Sequence, residues 1–586
     1  MMTPLENEKA PGPKVKKVAV IGAGPSGLAA VKSLMEEGHQ VICFEKARDI
    51  GGVYRWAEDN NGVYDSAYLT SSSFITAFSD FPPRGKVKFH FKHDEYLQYL
   101  RDYATDFGSM PFIKFNHAVQ RLEQSAQGAW VVKVLDQDNK KEEQYTFDAV
   151  AVCAGVHQNI SIPVIPHSEI FQGKIIHSGH YKRPDAFKGK NVVVVGGGES
   201  GSDIVDEVSR VTGQCALVLR RGVLVLPRFI FSRPNDFYTN RLFYTSPVWL
   251  FRIRHESFHW PTFFVILCII TAVMLVFEVL NFILVGLISF FPILGSLEFI
   301  LKVLFIIYLL IKMVRYLSYV GIKELIVISQ LNFQSQAGHD QQFATKCQGI
   351  AKAIASKKCF LKKNIKEFTK SGVIFEDDTA FEADAVIFCT GYVTRYPFLG
   401  IERMDCRNLY KNCFDPKIGP TLCFIGLARP ARGAIPPIAE MQSRWFAQIL
   451  SGNVHLPSAE DMQARIKTDA RNHQEMFSVV SDRITGLVDY TSYMDELAGF
   501  IGCRPLWKDL KKDPILLYRI YYGPFIACQY RLFGPHSNKE QARKTMGSIS
   551  VDLTQNFFNF VFMCSTIVCK ILFRMGFKYF EPNLPL

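Results

Sequence analysis

Twice along the chain a short apolar run ends in a cluster of glycines and gives way to a helical pattern. The first run, Val18 to Ile21 of a predicted strand from Lys17, leads into Gly22-Ala23-Gly24-Pro25-Ser26-Gly27. A helix over Leu28 to Glu37 follows, with Gly38 as its C-cap, and Val41 to Phe44 forms the next strand. The second run, Val192 to Val195, leads into Gly196-Gly197-Gly198-Glu199-Ser200-Gly201, a helix over Ser202 to Arg210 and a strand over Cys215 to Leu219. In such a unit the first glycine makes the tight turn, the second admits a pyrophosphate, and the third lets helix pack on strand. The predicted class is therefore α/β with two Rossmann-like dinucleotide-binding domains. Between and beyond them the pattern predicts a helix over His93 to Phe107 and strands over Trp130 to Val134 and Phe147 to Val152 around a charged hairpin, 135–146. It also predicts strands ending at Phe388 and Gly426, and an amphipathic helix over Ala439 to Leu450.

Residues 260–316 break this rhythm. Phe263 to Phe277 carries no charge, Glu278 interrupts, and Val279 to Leu297 is again uncharged. Arg252 and Arg254 precede the block and Lys312 and Arg315 follow it, so a membrane hairpin with both ends cytosolic is expected, a hydrophobic lid being the alternative. Phe557 to Phe573 is a second apolar stretch, expected to anchor the C-terminus in or on a membrane.

A chain of 586 residues exceeds one ordinary domain. Its net charge of +12 is scattered rather than clustered, which excludes a nucleic-acid-binding reading. The 14 cysteines include no Cys-x-x-Cys pair and no zinc-like spacing with His. That points to free thiols in a reducing compartment, to no metal site, and away from the disulfide reductases. Residues 1–16 are polar, contain three lysines and read as a disordered arm without a secretory signal.

The two nucleotide units differ where their second strands end. Glu45 stands about 20 residues after the first glycines, where a carboxylate holds ribose hydroxyls. The equivalent place in the second unit carries Arg220 and Arg221, which suit a 2′-phosphate. FAD is thus expected on Gly22 to Gly27 and Glu45, and NADPH on Gly196, Gly198, Ser200, Gly201, Ser202, Asp203, Arg220 and Arg221. The loop with Gly52, Val53, Tyr54 and Trp56 and the turn Thr390-Gly391 are assigned to FAD as well. Thr70-Ser71-Ser72-Ser73 is either a helix N-cap region or the polar wall of a ligand site.

Phe171, Gly173, His177 and Tyr181 fill the pattern Phe-x-Gly-x-x-x-His-x-x-x-Tyr, and Phe388-Cys389-Thr390-Gly391-Tyr392 forms a second linker. With two nucleotide turns in order, this resembles the flavin-containing monooxygenases, the class B flavoprotein monooxygenases. Gly426 to Pro430, Glu440 to Trp445 and Tyr530 to Pro535 are similar to that family's C-terminal blocks. The resemblance implies that NADPH reduces FAD, that O₂ then forms a peroxyflavin, and that nitrogen or sulfur of a small lipophilic nucleophile is oxygenated. Tyr181 leans toward that outcome, since Baeyer–Villiger relatives usually close the pattern with Trp. Many members have Asn where this chain has Thr70, so Thr70 and Ser71 are the candidate catalytic hydroxyls. Ketone oxygenation, uncoupled NADPH oxidation and a silent membrane flavoprotein are the alternatives. An FAD domain over 17–165 and 325–545 is expected, with NADPH binding over 166–245, an apolar insertion over 246–324 and an anchor over 546–586. An endoplasmic-reticulum membrane address, with the catalytic part facing the cytosol, is implied by the family, and an oligomer is compatible with it.

Overall fold

The computed structural model describes residues 15–58, 61–85, 88–220, 222–230, 232–242, 317–334, 344–476 and 485–551, with isolated positions between 304 and 315. The expected hairpin over 260–316, apart from those positions, and the expected anchor at 557–573 lie outside the described residues. Among the described residues no helix is long and apolar enough to cross a membrane.

Two five-stranded parallel sheets organise the described residues. The first has the order Leu422–Phe424, Ala149–Val152, Lys17–Ile21, Gln40–Phe44, Ile113–Lys114. The second has the order Cys359–Lys362, Gln214–Val218, Asn191–Val195, Ala385–Phe388, Lys174–His177. In each, the strand that feeds the glycine turn is central, and its apolar side chains are buried on both faces, as a parallel sheet covered by helices demands. Each unit also carries a three-stranded antiparallel meander. These run over His117–Gln124, Trp130–Asp136 and Lys141–Phe147 in the first unit, and over Ile365–Phe368, Gly372–Phe375 and Ala380–Glu382 in the second.

Three expectations change here. The hairpin 135–146 contains most of a full strand, Lys141–Phe147, whose outward positions are charged and therefore mask the alternation. The run Phe147 to Val152 is two strands, broken where the Asp148 carboxylate accepts from the Lys17 amide at 2.7 Å. The segment 325–545 is not all part of the first unit, because Cys359–Lys362 and Ala385–Phe388 pair into the second sheet. Parallel partners are joined by long crossovers, so sequence distance does not report which sheet a strand enters.

The helix Ile435–Leu450 is buried on every side rather than amphipathic, packing against the helix Pro25–Glu36. Its polar side chains are satisfied internally. Gln442 accepts from the Gly426 amide at 2.9 Å and donates to the Tyr493 hydroxyl at 2.8 Å, and Arg444 donates to the Tyr530 carbonyl at 3.2 Å.

Candidate active site

The two glycine turns are built alike, and the first and third glycines of each are required by backbone rather than by side chains. Gly22 sits at φ +100, and a Cβ there would lie 2.8 Å from the Cys153 carbonyl oxygen. Gly196 sits at φ +114, and a Cβ would lie 2.6 Å from the Cys389 carbonyl oxygen. The third glycines, Gly27 and Gly201, pass so close to the carbonyls of Gly22 and Gly196 that a Cβ would fall 1.8 and 2.0 Å from those oxygens. The helices that follow, Pro25–Glu36 and Glu199–Val211, have Gly24 and Gly198 as N-caps and no side-chain cap. Their N-terminal amides and dipoles therefore face an open approach suited to a pyrophosphate. Gly24 also opposes Gly52, where a Cβ on Gly52 would stand 3.2 Å from the Gly24 Cα, so the loop with Val53 and Tyr54 closes over the first turn. Both turns fit a dinucleotide.

The strand ends differ as their charges imply. Glu45 is buried, its carboxylate accepting from the Ala23 amide at 2.7 Å and from the Ala47 amide at 2.8 Å, which sets an acid at the mouth of the first turn. Arg220 is exposed one residue past Leu219, which is the register equivalent of Glu45, and it lines a cleft of about 1740 Å³. Arg221 lies outside the described residues. Gly196, Gly198 and Ser200 line the same cleft. Ser202 turns away from it, donating to the Cys347 carbonyl at 3.0 Å and accepting from the Ile350 amide at 3.1 Å. Asp203 lines the cleft with its carboxylate engaged by the Tyr64 hydroxyl at 2.6 Å and the Cys347 thiol at 2.7 Å. Burial, aided by Asp203, pushes the Tyr64 hydroxyl well up, so it stays protonated.

The cleft continues from this turn to Val53, Tyr54, Thr70 and Ser71 and passes the second linker at Cys389 to Thr394. Thr70 is half-buried on the wall. Ser71 lines it too, but its hydroxyl donates to the Gly433 carbonyl at 2.6 Å. Ser72 and Ser73 face inward: the Ser72 amide donates to Asp236 at 2.6 Å, and the Ser73 hydroxyl donates to the Lys88 carbonyl. The hydroxyl cluster is thus divided, with two residues on the ligand wall and two that start the short helix Ser73–Thr76. Thr390 donates to the Ser161 carbonyl, and Ser161 donates its amide to the Gly391 carbonyl at 3.0 Å. Those bonds hold the second linker against the first unit. Trp56 stands apart from the cleft wall, its ring under the Arg183 guanidinium at 5.9 Å.

The four fingerprint residues of the first linker are structural. A Cβ on Gly173 would meet the Phe171 ring at 2.3 Å and the Asp384 carbonyl oxygen at 2.7 Å, so the Phe-x-Gly spacing is one packing unit. Phe171 in turn packs on Phe368 at 5.2 Å between ring centroids. His177 is buried, accepts from the Gly179 amide at 3.1 Å and meets Tyr392 edge-on at 5.1 Å, which joins the two linkers. Burial lowers its pKa, so the ring is neutral near pH 7. Tyr181 is buried and donates to Glu207 at 2.8 Å, fixing the helix that begins at the second turn.

Lys346, which the sequence analysis did not single out, completes the wall beside Ser71. Lys346 is 4% exposed, lines the cleft, and donates its amide to both carboxylate oxygens of Glu199 at 3.0 and 3.1 Å. Burial lowers its ammonium pKa, Arg432 and Arg429 add to that, and Glu199 and Asp236 oppose it. Burial raises the Asp236 carboxyl, opposed by the Ser72 amide and by Lys346. These groups come from four distant segments and carry no shared spacing, so no local pattern announces them.

The model of the "Flavin-binding monooxygenase-like" family matches residues 15–246 and 322–556, skipping much the same stretch as the expected insertion. The chain is 35% identical over 539 residues to a 4-hydroxybenzoate brominase (decarboxylating) of Marinomonas mediterranea, covering 90% of this chain and 92% of that protein. It is 33% identical over 555 residues to flavin-containing monooxygenase 3 of Rattus norvegicus, covering 89% of each. Among solved structures, S-allyl-L-cysteine S-oxygenase from Allium sativum shares the fold at a TM-score of 0.57 and 22% identity, covering 92% of this chain and 100% of that one. Cyclohexanone monooxygenase from Rhodococcus sp. Phi1 shares it at 0.55 and 18%, covering 84% and 98%. With the two turns, the two linkers and the cleft between them, this chain belongs to the flavin-binding monooxygenase-like family and is an enzyme of flavin-dependent oxygenation with FAD and NADPH as its cofactors.

Proposed function

We propose that the chain transfers one oxygen atom from O₂ to nitrogen or sulfur of a small lipophilic compound, with FAD on the Gly22–Gly27 turn and NADPH on the Gly196–Gly201 turn. The observation that carries this reading is one cleft that runs from Thr70 and Ser71 to the second turn and Arg220. It gives a nicotinamide and a substrate access to the same wall. Bound flavin supplies the redox and oxygen-activating chemistry; the protein supplies orientation and exclusion of water. Glu45 and the Ala23 amide position the first nucleotide, and Arg220 selects the phosphorylated second one. Thr70 offers a hydroxyl donor where many members of the family offer a carboxamide. His177 and Tyr181 hold the linkers and move no proton.

Anaerobic mixing of the purified holoprotein with NADPH tests the reading. The flavin should bleach, re-oxidise on admitting O₂, and yield an N-oxide or sulfoxide from an amine and sulfide panel. A yellow protein that NADPH does not bleach overturns it, and a lactone or ester from a ketone moves it to Baeyer–Villiger oxygenation. The brominase relatives support a second reading, transfer of the oxygen to halide. Bromide with 4-hydroxybenzoate in the same panel decides between them by the appearance of a brominated phenol. Membrane attachment belongs to the proposal as well. It is supported by the exposed apolar side chains Leu304, Ile307, Ile311 and Val314 at the end of the 260–316 block, and fractionation with and without carbonate washing tests it.

A further inference from the structure

The stretch 62–71 belongs to the first unit by sequence, but its middle is built into the second. Tyr64 and Ala67 are buried in the same apolar cluster as Ile204, Val205 and Val208 of the helix Glu199–Val211. That helix carries Asp203 and Glu207 four positions apart, hence on one face. Asp203 accepts from the Tyr64 hydroxyl at 2.6 Å and from the Cys347 thiol at 2.7 Å. Glu207 accepts from the Tyr181 hydroxyl at 2.8 Å and from the Ser66 hydroxyl. The rings of Tyr64 and Tyr181 meet edge-on at 5.8 Å between centroids. Main-chain bonds tie the same stretch to the first linker, from the Gly62 amide to the Gly179 carbonyl at 3.2 Å and from the Asp65 amide to the Lys182 carbonyl at 3.0 Å. A turn closed by the Ala67 amide on the Tyr64 carbonyl at 3.0 Å takes up the slack. Only Tyr68 and Leu69 then separate the core of the second unit from Thr70 and Ser71 on the cleft wall. There the chain is back in the first unit: the Ala67 carbonyl accepts from the His93 amide at 3.0 Å, and the Leu69 amide donates to the Phe91 carbonyl at 2.9 Å.

We propose that 62–71 is a strap that sets the second nucleotide unit against the Thr70 wall, and that Tyr64 and Ser66 are positioning residues for hydride transfer between the two cofactors. This rests on the monooxygenase reading above, with FAD on the first turn and NADPH on the second. Hydride transfer needs its two carbons held near contact, so a small shift at the start of the helix Glu199–Val211 is felt as rate. Hydroxyl-to-carboxylate bonds suit the task, being shorter and stronger than neutral ones. Burial and the Asp203 charge keep the Tyr64 hydroxyl protonated, so it donates throughout the neutral range.

The test compares the full-length holoprotein with its Tyr64→Phe variant. Anaerobic mixing at saturating NADPH gives the rate constant of flavin bleaching, calorimetry gives the NADP⁺ affinity, and amide hydrogen exchange reports the wall over 69–73. Bleaching is expected to slow about tenfold while NADP⁺ affinity stays within about threefold, because the lost bond orients the nucleotide without binding it. Exchange over 69–73 should quicken about tenfold, since the bond lost at the second-unit end of the strap reaches the wall only through it. Ser66→Ala, whose hydroxyl lies outside the cleft, should slow bleaching about threefold, and it carries the test should Tyr64→Phe lose its FAD. Added to Glu207→Gln, it should slow bleaching no further than Glu207→Gln does alone. Bleaching within about twofold of the parent in both single variants overturns the proposal, whatever happens to NADP⁺ affinity. Unchanged exchange over 69–73 overturns it as well, since the wall would then be held without the strap. A parent protein that NADPH does not bleach sinks the monooxygenase reading instead, so the two failures are separately visible.

Discussion

Replacing Arg531 with Met isolates the most heavily buried charge network of the described residues and the one that supports the Thr70 loop. Arg531 is 1% exposed. Its guanidinium contacts Asp80 at 2.7 Å and Glu440 at 2.9 Å, and donates to the Ser79 hydroxyl at 2.7 Å and the His536 carbonyl at 3.1 Å. Asp80 keeps Lys32 after the substitution, but Glu440 keeps only the amide and hydroxyl of Ser79. Removing one partner of a buried pair leaves an uncompensated carboxylate and costs about 3–5 kcal/mol, a factor of roughly 10² or more in the folding equilibrium at about 1.4 kcal/mol per decade. The assay is urea unfolding of the holoprotein, followed by indole emission from the buried Trp445 and by release of flavin fluorescence. Arg531→Met with Glu440→Gln removes the stranded charge, so the double variant should recover about 1 kcal/mol or more relative to the sum of the singles. Additivity within about 0.5 kcal/mol would refute the reasoning, since it would mean that the two side chains do not sense each other. The pH dependence has a definite sign. Burial alone would raise the Asp80 carboxyl, but Arg531 and Lys32 outweigh it and hold the group below its ordinary value. Its contribution is present above the unfolded carboxyl value and lost as pH falls through the folded one, and that acid sensitivity should shrink in Arg531→Met.

Three further outcomes are expected. Gly196→Ala combines a φ of +114 with a Cβ 2.6 Å from the Cys389 carbonyl oxygen, so the variant should retain FAD but lose NADP⁺ binding in calorimetry. Arg220→Ala should weaken NADPH by at least about tenfold in KM while NADH changes little, since a guanidinium at that strand end is expected to meet only the 2′-phosphate. Equal effects on both nucleotides would count against the second turn as the NADPH site. Burial first, then the Arg228 charge, brings His90 down to about 4, and its ring nitrogen lies 3.1 Å from the Leu69 carbonyl oxygen beside Thr70. The unfolded chain binds this proton near pH 6.5 and the folded one does not, so stability falls as pH drops from about 6.5 toward 4. Between pH values of about 7.5 and 5 the loss should be roughly 2 kcal/mol in the unfolding free energy from urea titration, and His90→Phe should flatten it.

The nucleotide turns were legible in the sequence because their constraint is local. In each turn two glycines are forced by carbonyls, one within the same turn and one at a neighbouring strand end, and that neighbour, Cys153 or Cys389, also sits in a recognisable small-residue turn. The linker pattern was legible for the same reason, as Gly173 is demanded by Phe171 two residues away. Sheet membership of Cys359–Lys362 and Ala385–Phe388 was not legible, because it depends on crossovers and not on the strands themselves. Lys346 beside Ser71 was hidden more deeply. Lys346 and Asp236 are single polar residues on separate segments, and only tertiary packing brings them near each other. The buried helix Ile435–Leu450 misled in the opposite way. Its polar Glu440, Gln442 and Arg444 fit an amphipathic helix in sequence until partners such as Gly426, Tyr493, Tyr530 and Arg531 are seen to satisfy them.

Comparing the two units shows how one local design is turned to two nucleotides. Each consists of a central strand, a glycine turn, an uncapped helix, a meander and a returning strand whose last carbonyl abuts the first glycine. The second residue of the turn then differs. In the first unit the Ala23 amide donates to Glu45, so the acid is fixed in the mouth of its own turn, where it can meet ribose hydroxyls and would repel an added phosphate. In the second unit the corresponding residue is Gly197, where a Cβ would fall 2.8 Å from a methyl of Leu219 and 3.2 Å from one of Val223. Apolar side chains occupy that place, and the charge moves outward to Arg220 on the open cleft. A buried acid at the end of one strand and an exposed cation one residue past the end of the other are therefore expected to give the two units opposite preferences. Exchanging the charge at one strand end without the packing behind it should fail to exchange the nucleotide. Arg220→Glu alone is expected to lose NADPH without gaining FAD, because the place that Glu45 takes in the first unit is filled by the apolar Leu219 and position 220 lies one residue beyond it.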